Sequence, residues 1–244
     1  MNNQSNCYIE NIYMKHFYIY IFLLCAFIFA MSYYNTLRNR REPFESNTTT
    51  IVLLGDSILK NNAYVENGNS VEDILIKKTE GRTRCLAKDQ ATIGSMKTQL
   101  DLVPPDLNNI NTSVFLSVGG NDIIQTYVEE LKTYDSDKDA LIKIFADYTD
   151  LVKRIRKQMN KANLVLVDIY YPTSDKYKDY HPLIKDWNAL LYQYAANKQN
   201  NIDGVLKISE VVTKSDDFTF DYEPSDKGGA KIADQIYKYV VVAE

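Results

Sequence analysis

The sequence predicts an α/β domain, a five-stranded and mostly parallel sheet with helices on both faces, preceded by one membrane-spanning helix. Three observations lead there. From residue 50 onward, short apolar runs alternate with longer amphipathic stretches. Those short runs are apolar enough along their length to be strands buried on both faces. One stretch without any charge, residues 17–34, stands apart near the start. A chain of 244 residues that is 45% hydrophobic and 25% charged holds one globular domain and a little more, which excludes disordered, collagen-like and polytopic membrane classes.

Residues 1–16 form a polar N-terminal segment. The uncharged run 17–34 (FYIYIFLLCAFIFAMSYY) spans roughly 27 Å as a helix at 1.5 Å per residue, close to a bilayer's hydrocarbon thickness. Tyr18, Tyr20, Tyr33 and Tyr34 at its ends suit the membrane interface, so the run reads as a single-pass anchor. A signal peptide cleaved near Ala30 or Ser32 is the competing reading, against which stand the length and polarity of the preceding segment. Arg38, Arg40 and Arg41 follow the run while Lys15 alone precedes it, which places the C-terminal side in the cytoplasm. The sequons at Asn47 and Asn111 would matter only for a lumenal or secreted domain. Residues 35–49 are polar and aperiodic, a tether, and the folded domain is expected over 50–244.

Within that domain the strand candidates are 51–54 (IVLL), 84–87 (RCLA), 114–118 (VFLSV), 164–169 (LVLVDI) and 205–208 (VLKI). Helices are expected over 71–78, 94–102, 123–132, 140–160, 183–200 and 225–241. The clearest period puts Leu141, Ile144, Phe145, Tyr148, Leu151, Val152 and Ile155 on one stripe. The charged run 134–139 reads as a solvated loop.

Chemistry that the composition excludes narrows the function. With 28 basic against 32 acidic side chains there is no concentrated basic face for nucleic acid. Cys7, Cys25 and Cys85 are scattered, and His16 and His181 are the two histidines, so neither a disulfide framework nor a metal-ligand spacing is present and no metal or organic cofactor is implied. The 19 tyrosines accompany many Asn and Lys, a bias that an AT-rich genome explains without any binding role.

Ligands of open parallel sheets bind beyond the carboxyl ends of the strands. There the sequence places Gly55-Asp56-Ser57 after the first strand and Gly119-Gly120-Asn121-Asp122 after the third, with Glu223-Pro224-Ser225 before the last helix. A serine at the start of a helix, just past a buried strand, sits among backbone N–H groups that stabilise an oxyanion. Asn121 supplies an amide donor, and the paired glycines permit close backbone approach. The plainer alternatives are that Ser57 and Asn121 merely cap helices and that Asp56 ties loops together.

In order and context these motifs resemble the SGNH hydrolases, also called GDSL esterases and lipases, from about Ile51 to the C-terminus. The resemblance implies a three-layer flavodoxin-like fold, Ser57 as nucleophile, and an oxyanion hole from the Ser57 N–H, the residue 90 N–H and Asn121. Gly55, Asp56, Gly119, Gly120 and Asp122 would be structural at that site. In the second block, Leu86 to Thr92, Gln90 stands where the family has glycine, with Gly94 as the fallback donor. The usual Asp-x-x-His dyad is missing: Phe220 and Glu223 occupy its positions. Glu223 is therefore one candidate base and His181, after the fourth strand, the other; their structural alternatives are a helix-end charge for Glu223 and a loop residue before Pro182 for His181. The implied activity is hydrolysis of an ester-linked acyl or acetyl group on a small molecule, lipid or glycan, by a membrane-anchored enzyme. A catalytically impaired binding or scaffolding module is the alternative.

Overall fold

Hydrophobic side chains alternate across the strands so that both sheet faces are buried. In β1 (Thr50–Gly55), Val52 and Leu54 join one apolar layer while Ile51 and Leu53 join the other, and every residue from Ile51 to Gly55 is buried. The computed structural model describes Met31 and residues 49–129 and 134–241. The chain divides into two units, residues 1–44 and 45–244, and the second carries the fold.

Five strands form one sheet: β1, β2 (Thr83–Cys85), β3 (Thr112–Ser117), β4 (Asn163–Val167) and β5 (Gly204–Leu206), in the order β2-β1-β3-β4-β5. Every pairing in it is parallel. The five expected strands are all present, displaced by up to two residues, and this order is the flavodoxin-like one, whose switch point lies between β1 and β3. The helices are α1 (Val71–Lys78), α2 (Lys97–Leu100), α3 (Gly120–Glu129), α4 (Tyr134–Gln158), α5 (His181–Ala196) and α6 (Asp226–Val241). One sheet face packs against α4 and α5, through Phe145, Tyr148, Ile155 and Trp187. The opposite face packs against α1 and α6, through Val71, Leu75, Ile232 and Ile236.

Two expectations change. The charged run 134–139 is the first part of α4, because the apolar stripe that begins at Leu141 nucleates a helix that extends backward into a run rich in aspartate, a residue type favoured at helix N-termini. A second sheet, the antiparallel hairpin β6 (Phe218–Thr219) and β7 (Glu223–Pro224), precedes α6. Among the described residues no helix is long and apolar enough to cross a membrane; the expected anchor, 17–34, lies outside them apart from Met31, as does the tether 35–49 apart from Thr49.

Candidate active site

Ser57 follows β1 in a turn, not at a helix start: the N–H groups of Leu59 and Lys60 both donate to the Asp56 carbonyl, at 3.2 and 3.1 Å. The next helix begins only at Val71. Any oxyanion stabilisation at Ser57 therefore comes from turn amides, and Ser57 caps no helix. The turn is built on Gly55, whose φ of +138° and whose contact with β3 admit no side chain: a Cβ there would lie 1.7 Å from the Ser117 carbonyl oxygen. Buried Gln99 clamps the same residue, accepting from the Gly55 N–H at 2.8 Å and donating to its carbonyl at 2.7 Å.

Asp56 is buried, and its Oδ1 accepts from the Ile58 N–H at 3.2 Å and the Ser117 hydroxyl at 3.0 Å. Burial pushes its pKa up to about 7 against those two hydrogen bonds, and the carboxyls of Glu223 and Asp122 push the same way.

The residues after β3 form the opposite wall. Gly119, at φ +121°, lies against the Trp187 ring, 2.3 Å from where a Cβ would stand. Asn121 lies inside α3, so it is not a cap; its side-chain amide donates to the Ala91 carbonyl at 3.0 Å. Asp122 accepts from the Ile93 N–H with both oxygens, at 3.2 Å each, and burial raises its pKa to about 6. These two side chains tie the start of α3 to the segment that carries Gln90. Gln90 itself is exposed with φ +57°, left-handed, which gives a physical reason for glycine's preference at this position in the resembled family. Gly94 shares a separate polar groove with Asp122 and Lys97, away from the cavity that Ser57 lines.

Glu223 is delivered by the β6–β7 hairpin. Phe220 and Asp221 turn it with φ of +48° and +73°, the left-handed pair that tight hairpins use. Three contacts hold it in place. Asp221 pairs with Lys176, the Tyr170 hydroxyl donates to the Tyr222 carbonyl at 2.9 Å, and the wholly buried Asn61 donates to the Pro224 carbonyl at 3.2 Å. Gly228 and Gly229 let α6 pack closely against Asp217, just before the hairpin, and against Asn61: Cβ atoms there would meet the Asp217 carbonyl at 2.1 Å and the Asn61 amide at 2.6 Å. Ser225 accepts from the Gly228 N–H at the start of α6, so Glu223 has no capping duty. Its buried carboxyl instead faces the hydroxyls of Ser57 and Tyr222, and its Oε2 has no partner among the described residues. Burial raises the Glu223 pKa above the ordinary glutamate value and the Asp89 carboxylate adds to the rise, while the Ser57 and Tyr222 hydroxyls offset part of it.

His181 takes a different place. As the first residue of α5 its Nε2 donates to the Pro172 carbonyl at 2.8 Å and its ring meets Tyr171 edge-on at 5.4 Å, anchoring the loop between β4 and α5. Neither His181 nor Tyr171 lines the cavity at Ser57. That cavity is an apolar slot between α3, the loop after β4 and α5, walled by Ile123, Ile169, Tyr177, Tyr180, Ile184 and Tyr222. Four tyrosines, the fourth being Tyr170, thus line the slot, a use that compositional bias hides. No single sequence pattern marks them, because they come from three separate segments.

A lipolytic protein of the G-D-S-L family from Veillonella parvula superposes with a TM-score of 0.56 at 18% identity, over 78% of this chain and 97% of that one. The fold is that of the GDSL proteins. A psychrotrophic esterase from Pseudoalteromonas sp., solved inhibited by monoethylphosphonate, gives a TM-score of 0.56 at 20% identity, over 78% and 95% of the two chains. A mutant acetyl-xylooligosaccharide esterase from Geobacillus gives 0.56 at 14% identity, over 80% and 96%. No protein-family model and no curated protein matches the sequence.

Proposed function

We propose that this chain is a membrane-anchored serine esterase that cleaves ester-linked acyl or acetyl groups through Ser57, with Glu223 in the place of the usual histidine. One observation carries the reading: a buried carboxyl, its pKa raised and one oxygen unpartnered among the described residues, faces the hydroxyl of the serine that follows β1. A serine hydroxyl needs an adjacent base, and a carboxylate serves better the nearer its pKa comes to the working pH. In the first step the Ser57 Oγ bonds the acyl carbon, its proton passes to the Glu223 carboxylate, and the carbonyl π pair moves onto oxygen. The Ser57 N–H, the Gln90 N–H and the Asn121 amide are the donors assigned to that oxyanion. Collapse expels the alcohol, which takes the proton back from Glu223, and a water molecule, deprotonated by the same carboxylate, hydrolyses the acyl-serine.

The anchor is assigned to residues 17–34 and the domain to the cytoplasmic side, on the flanking-charge argument. Protease protection of sealed vesicles tests the side, and a fully protected domain in right-side-out vesicles is the expected result.

For the chemistry, the full-length chain is treated with a serine-directed fluorophosphonate at pH 5 to 9, beside Ser57→Ala, Glu223→Gln and His181→Ala. Expected are no labelling in Ser57→Ala, labelling slowed ~10²–10⁴-fold in Glu223→Gln, and a wild-type rate in His181→Ala. A folded wild-type chain that never labels at Ser57 overturns the hydrolase reading in favour of a binding or scaffolding module.

A further inference from the structure

Within the hydrolase reading, the slot beside Ser57 limits the acyl group. We infer that this site hydrolyses esters of short acids, two to four carbons long, and rejects medium and long chains. The slot has a volume of about 50 Å³. At roughly 10–15 Å³ for each water-sized group that is room for about three to five heavy atoms. An acetyl or butyryl chain fills it, whereas an octanoyl chain exceeds it.

The wall cannot give way cheaply, because the residues that bound it are part of the domain's packing. Ile123, Ile169, Tyr180 and Ile184 are each under 9% exposed and belong to the core layer beneath α4 and α5. Along one wall, Tyr177 contacts Tyr222 with ring centroids 4.8 Å apart and Tyr180 at 5.7 Å. Tyr222 itself is fixed by the Tyr170 hydroxyl on its carbonyl, and the adjacent Asp221 by Lys176 on the segment that carries Tyr177. A longer chain therefore has to displace packed side chains or separate Tyr177 from Tyr222, and packed interiors resist both. The lining is apolar almost throughout, which suits an alkyl group and excludes a charged acyl group.

The test uses the full-length chain with the p-nitrophenyl esters of acetate, butyrate and octanoate, and fluorophosphonate labelling of Ser57 as the control for the hydrolase reading itself. Expected is a kcat/KM at least ~100-fold lower for octanoate than for butyrate. In Ile184→Ala and in Tyr177→Ala, which open the slot from its packed and its partly exposed side, that ratio should fall at least tenfold. Either variant suffices if the other does not fold. A chain that labels at Ser57 yet prefers octanoate, or turns over none of the three esters, overturns the short-acyl slot and leaves the activated serine standing. Short-acyl preference that neither folded variant relaxes overturns the assignment to these walls. Absence of labelling removes the hydrolase reading and the slot's role with it.

Discussion

Replacing Asp56 by asparagine should make the protein more stable at neutral and alkaline pH, and the size of the effect follows from its surroundings. The folded protein holds this carboxyl at a pKa of about 7, against an ordinary value of 3.8, mainly by burial. The sign is set by proton counting. Between about pH 4 and 7 the folded state keeps a proton that the unfolded state has lost, so stability falls as the pH rises through that window. At about 1.4 kcal/mol per pKa unit, the whole displacement is worth ~4 kcal/mol above pH 7, and about 3 kcal/mol of it develops between pH 5 and pH 8. The Asp56→Asn side chain would keep both hydrogen bonds, since its amide oxygen can accept from the Ile58 N–H and the Ser117 hydroxyl as the carboxyl does. Urea denaturation of the wild type and Asp56→Asn at pH 5, 6, 7 and 8 measures the difference directly. The variant's advantage should grow by about 3 kcal/mol across the series, or roughly 6–12 °C in melting temperature for a domain this size. An advantage that does not change with pH would refute the reasoning, because it would mean that Asp56 does not titrate in this range in the folded state.

Four further outcomes follow from the same geometry. Wild-type kcat/KM should fall as the pH drops through the raised pKa of Glu223, giving an acid limb above the ordinary glutamate range near about 4.3, and a pH–rate profile checks it. Phe220→Asp adds a carboxylate three residues from Glu223 and should move that limb to higher pH, whereas Phe220→Asp combined with Glu223→His should move it toward the histidine value of about 6.5. Gly55→Ala should lose about 3 kcal/mol or more in denaturation, since its Cβ would overlap the Ser117 carbonyl at a φ closed to alanine. Gln90→Gly should keep kcat within about threefold, because the backbone N–H remains, and should not lower stability, because relief of the left-handed strain of ~1 kcal/mol offsets the entropy of glycine.

The strands were legible because a doubly buried parallel strand is apolar along most of its length, and IVLL, VFL and LVLV satisfy that without needing a period. Helix α1 was legible to the residue: Ser70 accepts from the Asp73 N–H at its start, and lysines 77 and 78 close it. The start of α4 was not, since a charged helical turn and a charged loop read alike in sequence. The hairpin that carries Glu223 escaped for a related reason. Its turn uses Phe220 and Asp221 in left-handed conformations, without the glycine or asparagine that normally marks such a turn. At the site, the positions of Ser57, Asn121 and Glu223 came from motifs tied to strand ends. The slot did not, because Ile123, Tyr177 and Ile184 are ordinary core-type residues that only the fold brings together.

The joint loss of the aspartate and the histidine is coherent if Glu223 is the base. A histidine base starts neutral and becomes a cation as the oxyanion forms, so its site separates charge and needs a carboxylate to orient and stabilise the imidazolium. A glutamate base starts as an anion and ends neutral, so one negative charge simply moves from Glu223 to the oxyanion and none is created. A second carboxylate at position 220 would then stabilise nothing. It would join Asp89, whose carboxyl already raises the Glu223 pKa, and would push the base's pKa further up. Phe220, 70% exposed at the hairpin tip, avoids that repulsion. Burial of Asp56 works in the same direction: held neutral up to about pH 7, it adds no negative charge beside Ser57 and Glu223 below that pH.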